Sequence, residues 1–252
     1  MTPVRRIRLE HLHNLRDLGG YEAGEGRATA WNRVYRCDCP RDLTQDEWAQ
    51  LREMGVRTLI DLRSTFECAE KPVEAPEGFT YVHCPFLWEE KDPRDPNEAS
   101  RKFLESLSLD YGYMMERCLD RAAATLDAVT KALPDGGVAF FCTAGKDRTG
   151  MVAACLLRLC GVSDDDIVAD YCQTEVYNAA VIERQIKSLP DAIRESISPQ
   201  SMEAAMSSKA PTMRSYLSWL DEHDLARCLD EQGFSYGQQQ LLAERMCAAP
   251  DA

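Results

Sequence analysis

Long apolar runs are absent from the sequence, and none approaches the roughly 18 residues that a membrane-spanning helix requires. The first residues include arginines but have no apolar segment behind them, which is unlike a secretory signal. Disulfide-scaffold spacing is also missing, because the eleven cysteines are scattered along the chain. We therefore expect no membrane span and a reducing, cytoplasmic location. Export by a route without a cleaved signal stays open.

Basic residues are in deficit: 29 lysines and arginines stand against 42 aspartates and glutamates, for a formal net charge of -13. Sequence-independent binding to nucleic acid or to an anionic membrane needs a broad basic surface, so this balance argues against both partners. An anionic substrate would have to be attracted by a local basic pocket instead.

Histidine is scarce, with four residues dispersed along the chain. Cys37 and Cys39 form a C-x-C pair, but no second pair lies at the spacing of a zinc site. The sequence therefore predicts neither a metal site nor a cofactor.

Apolar patterning predicts strands that alternate with helices over residues 30–160. The strands are expected at 32–36, 56–62, 79–87 and 138–141. The helices are expected at 43–54, within 101–133, at 149–160, from 163 to about 187, and in two or three further segments up to 247. Such alternation favours a mainly parallel sheet flanked by helices. We predict a single α/β domain over 1–252, with 162–252 as its all-helical C-terminal layer.

The stretch FFCTAGKDRTG, residues 140–150, has the order strand, loop, helix. The first N–H groups of a helix have no partner within the helix and attract anions. The amides of the loop can form a nest around a phosphate, and the planar side chain of Arg148 can bind two of its oxygens. The predicted phosphate-binding residues are Thr143, Ala144, Gly145, Lys146, Asp147, Arg148 and Thr149.

Cys142 lies at the centre of this predicted anion site. A thiol there should be deprotonated near neutral pH and could attack a bound phosphoryl group, with Thr149 donating its hydroxyl to the sulfur. Arg148 and the amides would stabilise the transition state. The spacing Cys-x5-Arg alone is expected about once by chance in such a chain. The evidence for an anion site therefore comes from the strand before Cys142, the glycine within the loop and the helix after it. A buried structural cysteine in an ordinary turn is the alternative.

The loop CTAGKDRTG resembles the signature loop of the cysteine-dependent protein phosphatases, in the form found in a bacterial group of broad-specificity tyrosine phosphatases. Three further stretches resemble segments of that group in the expected order: NLRDLGGY at 14–21, TLIDLRS at 58–64 and DDDIVADY at 164–171. The resemblance implies a phosphotyrosine-phosphatase-like fold and catalysis through a phosphocysteine at Cys142, with Arg148 binding phosphate. Lys146 and Asp147 match loop residues that the group links with activity on phosphotyrosine, phosphoserine, phosphothreonine or phosphoinositides.

The residue before the nucleophile departs from the pattern of that group. The group usually has histidine there, where it helps to hold the loop and to ionise the thiol, whereas this chain has Phe141. Phenylalanine fills the volume but supplies no hydrogen bond. We therefore expect Cys142 to ionise at a higher pH than is usual in the group, and the enzyme to be slower.

A general acid must lie within hydrogen-bond reach of the ester oxygen of the leaving group. Asp147, inside the loop, is the first candidate, and the resemblance implies a second position shortly after a Pro-Phe pair. Here Pro85-Phe86 is followed by three acids, which are Glu89, Glu90 and Asp92. A solvated surface run is the alternative interpretation of these three.

Asp61 and Arg63 lie at the C-terminal end of a predicted buried strand, the edge at which α/β sheets bind ligands. Arg63 could contact phosphate or brace the loop. Asp61 could orient Arg148 or the segment 14–17. A purely structural ion pair is an equally good interpretation of the two. Cys37 could form a protective disulfide with the nucleophile or could be an ordinary core cysteine.

The sequence predicts a phosphomonoester hydrolase with a cysteine nucleophile, a protein tyrosine or dual-specificity phosphatase. Its substrate would be a phosphorylated protein or a small phosphomonoester, and inorganic phosphate would bind in the same loop. Two alternatives stay open: a phosphatase of phosphoinositides or inositol phosphates, and a phosphate- or phosphopeptide-binding module with weak catalysis. Turnover separates the binding module from an enzyme, whereas binding alone does not.

Overall fold

The computed structural model describes residues 4–87, 110–179, 187, 191 and 207–248. Within these residues the strands are β1 Arg16–Asp17, β2 Glu22–Ala23, β3 Arg27–Thr29, β4 Val34–Cys37, β5 Val56–Asp61, β6 Thr80–His83, β7 Gly137–Phe141 and β8 Cys247–Ala248. The α-helices are α1 Gln45–Glu53, α2 Thr65–Glu70, α3 Tyr111–Glu116, α4 Leu119–Ala132, α5 Asp147–Leu159, α6 Asp164–Tyr177, α7 Ala210–Glu222, α8 Leu225–Glu231 and α9 Tyr236–Met246.

The central sheet has the strand order β1-β4-β7-β5-β6. β4, β7, β5 and β6 run parallel, and β1 pairs antiparallel with β4 at one edge. Parallel strands need crossover connections, and the helices that supply them cover the faces of the sheet. The predicted α/β class with a mainly parallel sheet is confirmed.

β7 is interior to this sheet, and all five of its residues are buried. Ala139 and Phe141 pack into the hydrophobic cluster on the α1 side of the sheet. Val138 and Phe140 pack into the larger cluster on the opposite side, with the helices α4 and α5. Cys142 continues this alternation and belongs to the larger cluster. A strand that is buried on both faces requires an uninterrupted apolar run, which explains VAFF.

Nothing in the sequence pattern predicts the second sheet, which is antiparallel and has the order β2-β3-β8. It joins the segment after β1 to the end of α9. The prediction that 162–252 is helical throughout is therefore wrong at Cys247–Ala248. Strands of two or three residues are too short for an alternating pattern to be visible in a sequence.

Two helix boundaries differ from the prediction. α5 begins at Asp147 rather than at Thr149, and an acidic residue in the first turn suits the positive end of the helix dipole. α6 begins after its N-cap, Ser163, as the prediction of a helix from 163 requires, but it ends at Tyr177 rather than near Lys187. None of the helices in the described part of the chain has the length and apolar character needed to cross a membrane.

Candidate active site

The predicted anion-binding residues span the connection between β7 and α5 and the first turn of the helix. Cys142 follows the strand directly, and Asp147 begins the helix. The side chain of the N-cap residue, Lys146, makes no capping hydrogen bond to the first turn of α5. The connection lies at the C-terminal edge of the parallel sheet, where α/β folds bind their ligands.

Four consecutive carbonyl groups of this loop accept hydrogen bonds, the first three from residues outside the loop and the fourth from the first turn of α5. The acceptor and donor pairs are Thr143 O with Cys39 N (3.3 Å), Ala144 O with Asn14 Nδ2 (3.3 Å), Gly145 O with Asn14 Nδ2 and Arg36 Nη2 (2.9 Å each), and Lys146 O with Gly150 N (2.7 Å). The amide of Asn178 also donates to Ala144 O. In a trans peptide the N–H points opposite to the C=O, so the N–H groups of 144–146 face away from these outside partners and towards the inside of the loop. Such a row of N–H groups can bind an anion.

Gly145 meets a backbone requirement of the loop. Its φ is +66°, and a β-carbon there would lie 2.3 Å from the carbonyl oxygen of Cys37. Glycine alone combines this angle with so close an approach at low cost. The loop can therefore close directly against the end of β4.

We expect Gly145→Ala to lower the free energy of unfolding by about 3 kcal/mol or more, because a backbone clash is added to the strain of a positive φ. Gly233→Ala is the matched control, since Gly233 has a φ of +90° but nothing within 4 Å of its β-carbon position. In that control the free energy of unfolding should fall only by the cost of the backbone strain, about 1 to 2 kcal/mol. Urea unfolding measures both variants, and equal losses would contradict the close contact between the loop and β4.

A buried ion network lies against the loop. Asp170 on α6 bridges Arg16 of β1 and Arg36 of β4, with N···O distances of 2.7 and 2.6 Å. Burial raises the pKa of the Asp170 carboxyl, but the two guanidinium groups outweigh burial and lower this pKa to about 2. The carboxylate therefore stays charged and holds Arg36, whose Nη2 donates to the carbonyl of Gly145.

Glu67, on α2, anchors the side chain of Arg148. Nη1 and Nη2 of Arg148 lie 2.5 and 2.8 Å from Oε2 and Oε1 of Glu67, and the Thr143 hydroxyl donates to Oε1 at 2.5 Å. Burial raises the pKa of the Glu67 carboxyl, but Arg148 and the hydrogen bonds lower it well below its usual range. A guanidinium group has five N–H donors, so this pairing leaves donors for a phosphate.

We expect Glu67→Gln to lower kcat/KM by about tenfold, because Arg148 would lose its bidentate partner and its fixed orientation. The same variant should lose about 1 to 3 kcal/mol of unfolding free energy at pH 7. Glu70→Gln, at the exposed end of α2, is the matched control and should change neither quantity. An unchanged kcat/KM in Glu67→Gln would contradict the anchoring role.

The stability loss in Glu67→Gln should also depend on pH. The pKa of Glu67 is depressed in the folded state, so its contribution is complete above the unfolded value of 4.5 and fades as the pH falls below it. The difference between wild type and variant should therefore narrow from about pH 5 towards pH 3. Urea unfolding of wild type and Glu67→Gln between pH 3 and pH 7 measures this difference in unfolding free energy. A difference that stays constant with pH would contradict the prediction.

Asp147 accepts a hydrogen bond from a buried tyrosine pair. The Tyr111 hydroxyl lies 2.6 Å from Asp147 Oδ1 and 2.7 Å from the hydroxyl of Tyr171. Lys146 Nζ lies 3.5 Å from the same carboxylate oxygen. Burial and the charge of Asp147 raise the pKa of Tyr111 well above its ordinary value, so this hydroxyl keeps its proton. The Asp147 side chain is 33 % exposed and is therefore accessible to a substrate.

Cys142, the Thr149 side chain and the Phe141 side chain are all buried. Cys142 is 3 % exposed. The hydroxyl of Thr149 is buried and has no hydrogen-bond partner among the described residues. Phe141 is fully buried in the α1-side cluster, with the Arg63 guanidinium 5.8 Å from its ring centre. Phe141 therefore fills core volume and offers the loop no side-chain hydrogen bond.

A profile described as "Tyrosine phosphatase family" matches residues 7–248. The chain belongs to the tyrosine phosphatase family. It is 30% identical over 177 residues to a Cupriavidus necator protein assigned to the tyrosine-protein phosphatases, which covers 69% of this chain and 64% of the relative. It is 33% identical over 137 residues to a tyrosine-protein phosphatase of Nostoc commune, covering 54% and 46%.

A triple specificity protein phosphatase of Mycobacterium tuberculosis is 30% identical to this tyrosine phosphatase family member over 186 residues, covering 64% of this chain and 66% of the relative. The chain thus spans two thirds or less of the length of these three relatives. Among solved structures, TpbA of P. aeruginosa in complex with pTyr aligns with a TM-score of 0.34 and 17% identity, over 58% of this chain and 71% of that one.

In this tyrosine phosphatase family member, Asp61 and Arg63 contact each other. Arg63 Nη2 lies 2.6 Å from Asp61 Oδ2, Arg63 Nη1 donates to the carbonyl of Lys71, and the Tyr81 hydroxyl donates to Asp61. These contacts correspond to the structural ion pair, and a role of either residue in phosphate binding stays a prediction. The other proposed acids, Glu89, Glu90 and Asp92, lie outside the described residues.

Cys37 is a buried free thiol in the α1-side cluster, whereas Cys142 belongs to the opposite cluster. These positions correspond to the core interpretation of Cys37. In the described residues of this family member, no group of three or more His, Cys, Asp or Glu side chains is placed to hold a metal ion.

The contacts of Glu67, Asn178 and Tyr111 with the loop are among those that the sequence does not predict. Ser64 and Glu67 form a capping box at the start of α2, and this S-x-x-E spacing is visible in the sequence. That signal predicts a helix start but no partner for Arg148. Asn178 and Tyr111 contact loop residues 34 and 36 positions away, so only the tertiary fold brings them there.

Proposed function

We propose that this chain is a protein tyrosine or dual-specificity phosphatase that works through a phosphocysteine at Cys142. The observation that carries the proposal is the loop itself. Its N–H groups face inward around the end of β7, its carbonyls are held outward, and Arg148 is fixed beside it by Glu67. This arrangement suits a phosphate dianion and a cysteine nucleophile in the same site.

In the first step the sulfur of Cys142 attacks the phosphorus of the bound ester. An S–P bond forms while the P–O bond to the leaving tyrosine breaks. The loop N–H groups and Arg148 donate to the non-bridging oxygens, where charge is held in the transition state. Asp147, the acid within the loop, must hold a proton when the substrate is bound, and it gives this proton to the leaving oxygen.

In the second step water attacks the phosphorus of the phosphocysteine. Asp147 takes a proton from the water, the S–P bond breaks and inorganic phosphate is released. The buried hydroxyl of Thr149, which has no other partner among the described residues, donates to the departing sulfur. Because Phe141 gives no such donor, the hydrogen bonds to the thiolate come from Thr149 and the loop amides.

The test is hydrolysis of p-nitrophenyl phosphate and of a phosphotyrosine peptide, with EDTA present. Wild type should be active, and Cys142→Ser should lose turnover while still binding inorganic phosphate. Cys155→Ser, a buried thiol on α5, is the matched control and should keep its activity. Turnover that survives in Cys142→Ser, or that EDTA removes, would contradict the cysteine mechanism. Phosphate binding without turnover in the wild type would indicate a recognition module.

The proposed location is the cytoplasm. All eleven cysteines are free thiols, including the partly exposed Cys84 and Cys172, and such a chain suits a reducing compartment. A thiol reagent that cannot cross membranes should label the protein only after the cells are broken. Labelling in intact cells would place it outside.

A further inference from the structure

A chain of two tyrosine hydroxyls ends at the carboxylate of Asp147. The hydroxyl of Tyr111, the first residue of α3, lies 2.6 Å from Asp147 Oδ1 and 2.7 Å from the hydroxyl of Tyr171 on α6. The ring of Tyr111 meets the rings of Tyr171 and Tyr216 edge-on, with centroids 6.0 and 5.9 Å apart. All three tyrosines are buried, so packing against two neighbouring rings fixes the place of the Tyr111 hydroxyl.

The direction of both hydrogen bonds follows from the number of protons. A tyrosine hydroxyl has one proton to donate, and Tyr111 donates it to Asp147, which as a carboxylate can only accept. The Tyr111 oxygen is therefore the acceptor in its bond with Tyr171, and Tyr171 is the donor. Burial, together with the charge of Asp147, raises the pKa of both hydroxyls above the ordinary value, so both keep their protons.

Two donors are directed at the same oxygen of Asp147. Besides the Tyr111 hydroxyl, Lys146 Nζ lies near Oδ1, at 3.5 Å. A carboxylate oxygen has about two lone-pair positions, so these donors leave Oδ1 no position for an acid proton. The proton that Asp147 exchanges with a substrate is therefore assigned to Oδ2.

The two residues differ in what a substrate can reach. The Asp147 side chain is 33 % exposed, whereas Tyr111 is 1 % exposed. A bound ester can approach the carboxylate but not the Tyr111 hydroxyl. Tyr111 can therefore affect the reaction only through Asp147.

We propose that Tyr111 is a positioning residue for proton transfer by Asp147, an inference that rests on the proposed function. Its hydroxyl holds Oδ1 in both protonation states, because this oxygen accepts as part of the carboxylate and as the carbonyl oxygen of the acid. When the phosphocysteine forms, the Oδ2–H bond breaks and the leaving oxygen takes the proton. When water attacks the phosphorus, Oδ2 takes a proton from the water. Tyr111 keeps its own proton in both steps.

The test compares kcat/KM for phenyl phosphate and for p-nitrophenyl phosphate, which share the phosphoryl group and differ in the leaving group. Nitrophenolate disperses its charge into the nitro group and needs little protonation, whereas phenolate needs the acid. Tyr111→Phe should lower kcat/KM by about tenfold for phenyl phosphate and by less than about threefold for p-nitrophenyl phosphate. Equal losses on the two substrates, or no loss on either, would overturn the proposal.

Tyr216→Phe is the matched control. It removes a buried hydroxyl that lies 3.3 Å from the Cys155 sulfur and keeps the ring that packs on Tyr111. It should leave kcat/KM for both substrates within about twofold of wild type. A Tyr216→Phe variant with the same substrate-dependent loss as Tyr111→Phe would show that loosened packing, and not the bond to Asp147, is the cause.

An Asp147→Asn background separates positioning from a structural role. Asparagine keeps an oxygen that can accept from Tyr111 but has no acid proton to give. Adding Tyr111→Phe in that background should change kcat/KM for phenyl phosphate by less than about twofold, because the two residues act as one unit. A further tenfold loss there would contradict the proposal.

If Tyr111→Phe does not fold, 3,5-difluorotyrosine at position 111 keeps the size of the side chain and makes its hydroxyl a stronger donor. The groups that face Asp147 among the described residues are Lys146, Arg148, Tyr111 and Tyr171. A stronger donor favours the carboxylate, so the alkaline limb of kcat/KM for phenyl phosphate should move to lower pH. An unmoved limb would refute the contact. Active wild-type protein whose turnover is lost in Cys142→Ser supports the proposed function whatever these variants show, so a failure of this inference alone is recognisable.

Discussion

Arg148→Lys is expected to reduce kcat/KM for a phosphotyrosine peptide by about 10³-fold. Lysine keeps the positive charge but cannot bind two phosphate oxygens in one plane, and it cannot form the bidentate pair with Glu67. The loss should appear in kcat as well as in KM, because Arg148 is proposed to contact the phosphoryl group in the transition state.

Arg158→Lys is the matched control for that variant. Arg158 lies on the same helix, near its opposite end, and pairs with Asp164 and Asp221. The Arg158→Lys variant should keep kcat/KM within about twofold of wild type. Residue 158 lies far from the loop, and ion pairs on the surface contribute little to stability. A loss of less than tenfold in Arg148→Lys would contradict the role given to the guanidinium group.

Asp170→Asn is expected to lower the free energy of unfolding by about 3 to 5 kcal/mol at pH 7. Asparagine would leave the guanidinium groups of Arg16 and Arg36 buried without a counter-charge. The loss should shrink as the pH falls from about 4 towards 2. The folded-state pKa of Asp170 is about 2 and the unfolded value is 3.8, so its stabilising charge disappears across that range.

Asp165→Asn, on the same helix, is the control for the buried network. Asp165 pairs with Arg214 on the surface, where both side chains are largely exposed, so the change should be within about 0.5 kcal/mol. Urea unfolding of the two variants from pH 2 to pH 7 gives the comparison. Similar losses in both would contradict the view that the loop rests on a buried ion network.

The sequence predicts the sheet and the loop because both depend on local patterns. The run VAFF is apolar throughout because β7 is buried on both faces. In the loop, glycine is required by the positive φ at position 145, and arginine suits the negative charge of a phosphate. β2, β3 and β8 escaped prediction because strands of two or three residues carry no periodic signal.

The supports of the loop could not be predicted because they arise from tertiary contacts. Glu67 shows a capping-box pattern that explains its place in α2, but its bond to Arg148 spans 81 residues. Asp170 contacts Arg16 and Arg36 at separations of 154 and 134 residues. A single sequence does not indicate which of the distant residues a charged side chain will contact in the fold.

The most direct test of the central claim is to trap the covalent intermediate. Wild-type protein is mixed rapidly with a phosphotyrosine peptide, quenched in acid and digested, and the peptide containing Cys142 is examined by mass spectrometry. We expect one phosphoryl group on Cys142 within the first turnover, and none in Cys142→Ser. Turnover with no phosphoryl group on Cys142, or with the group on another residue, would contradict the phosphocysteine mechanism.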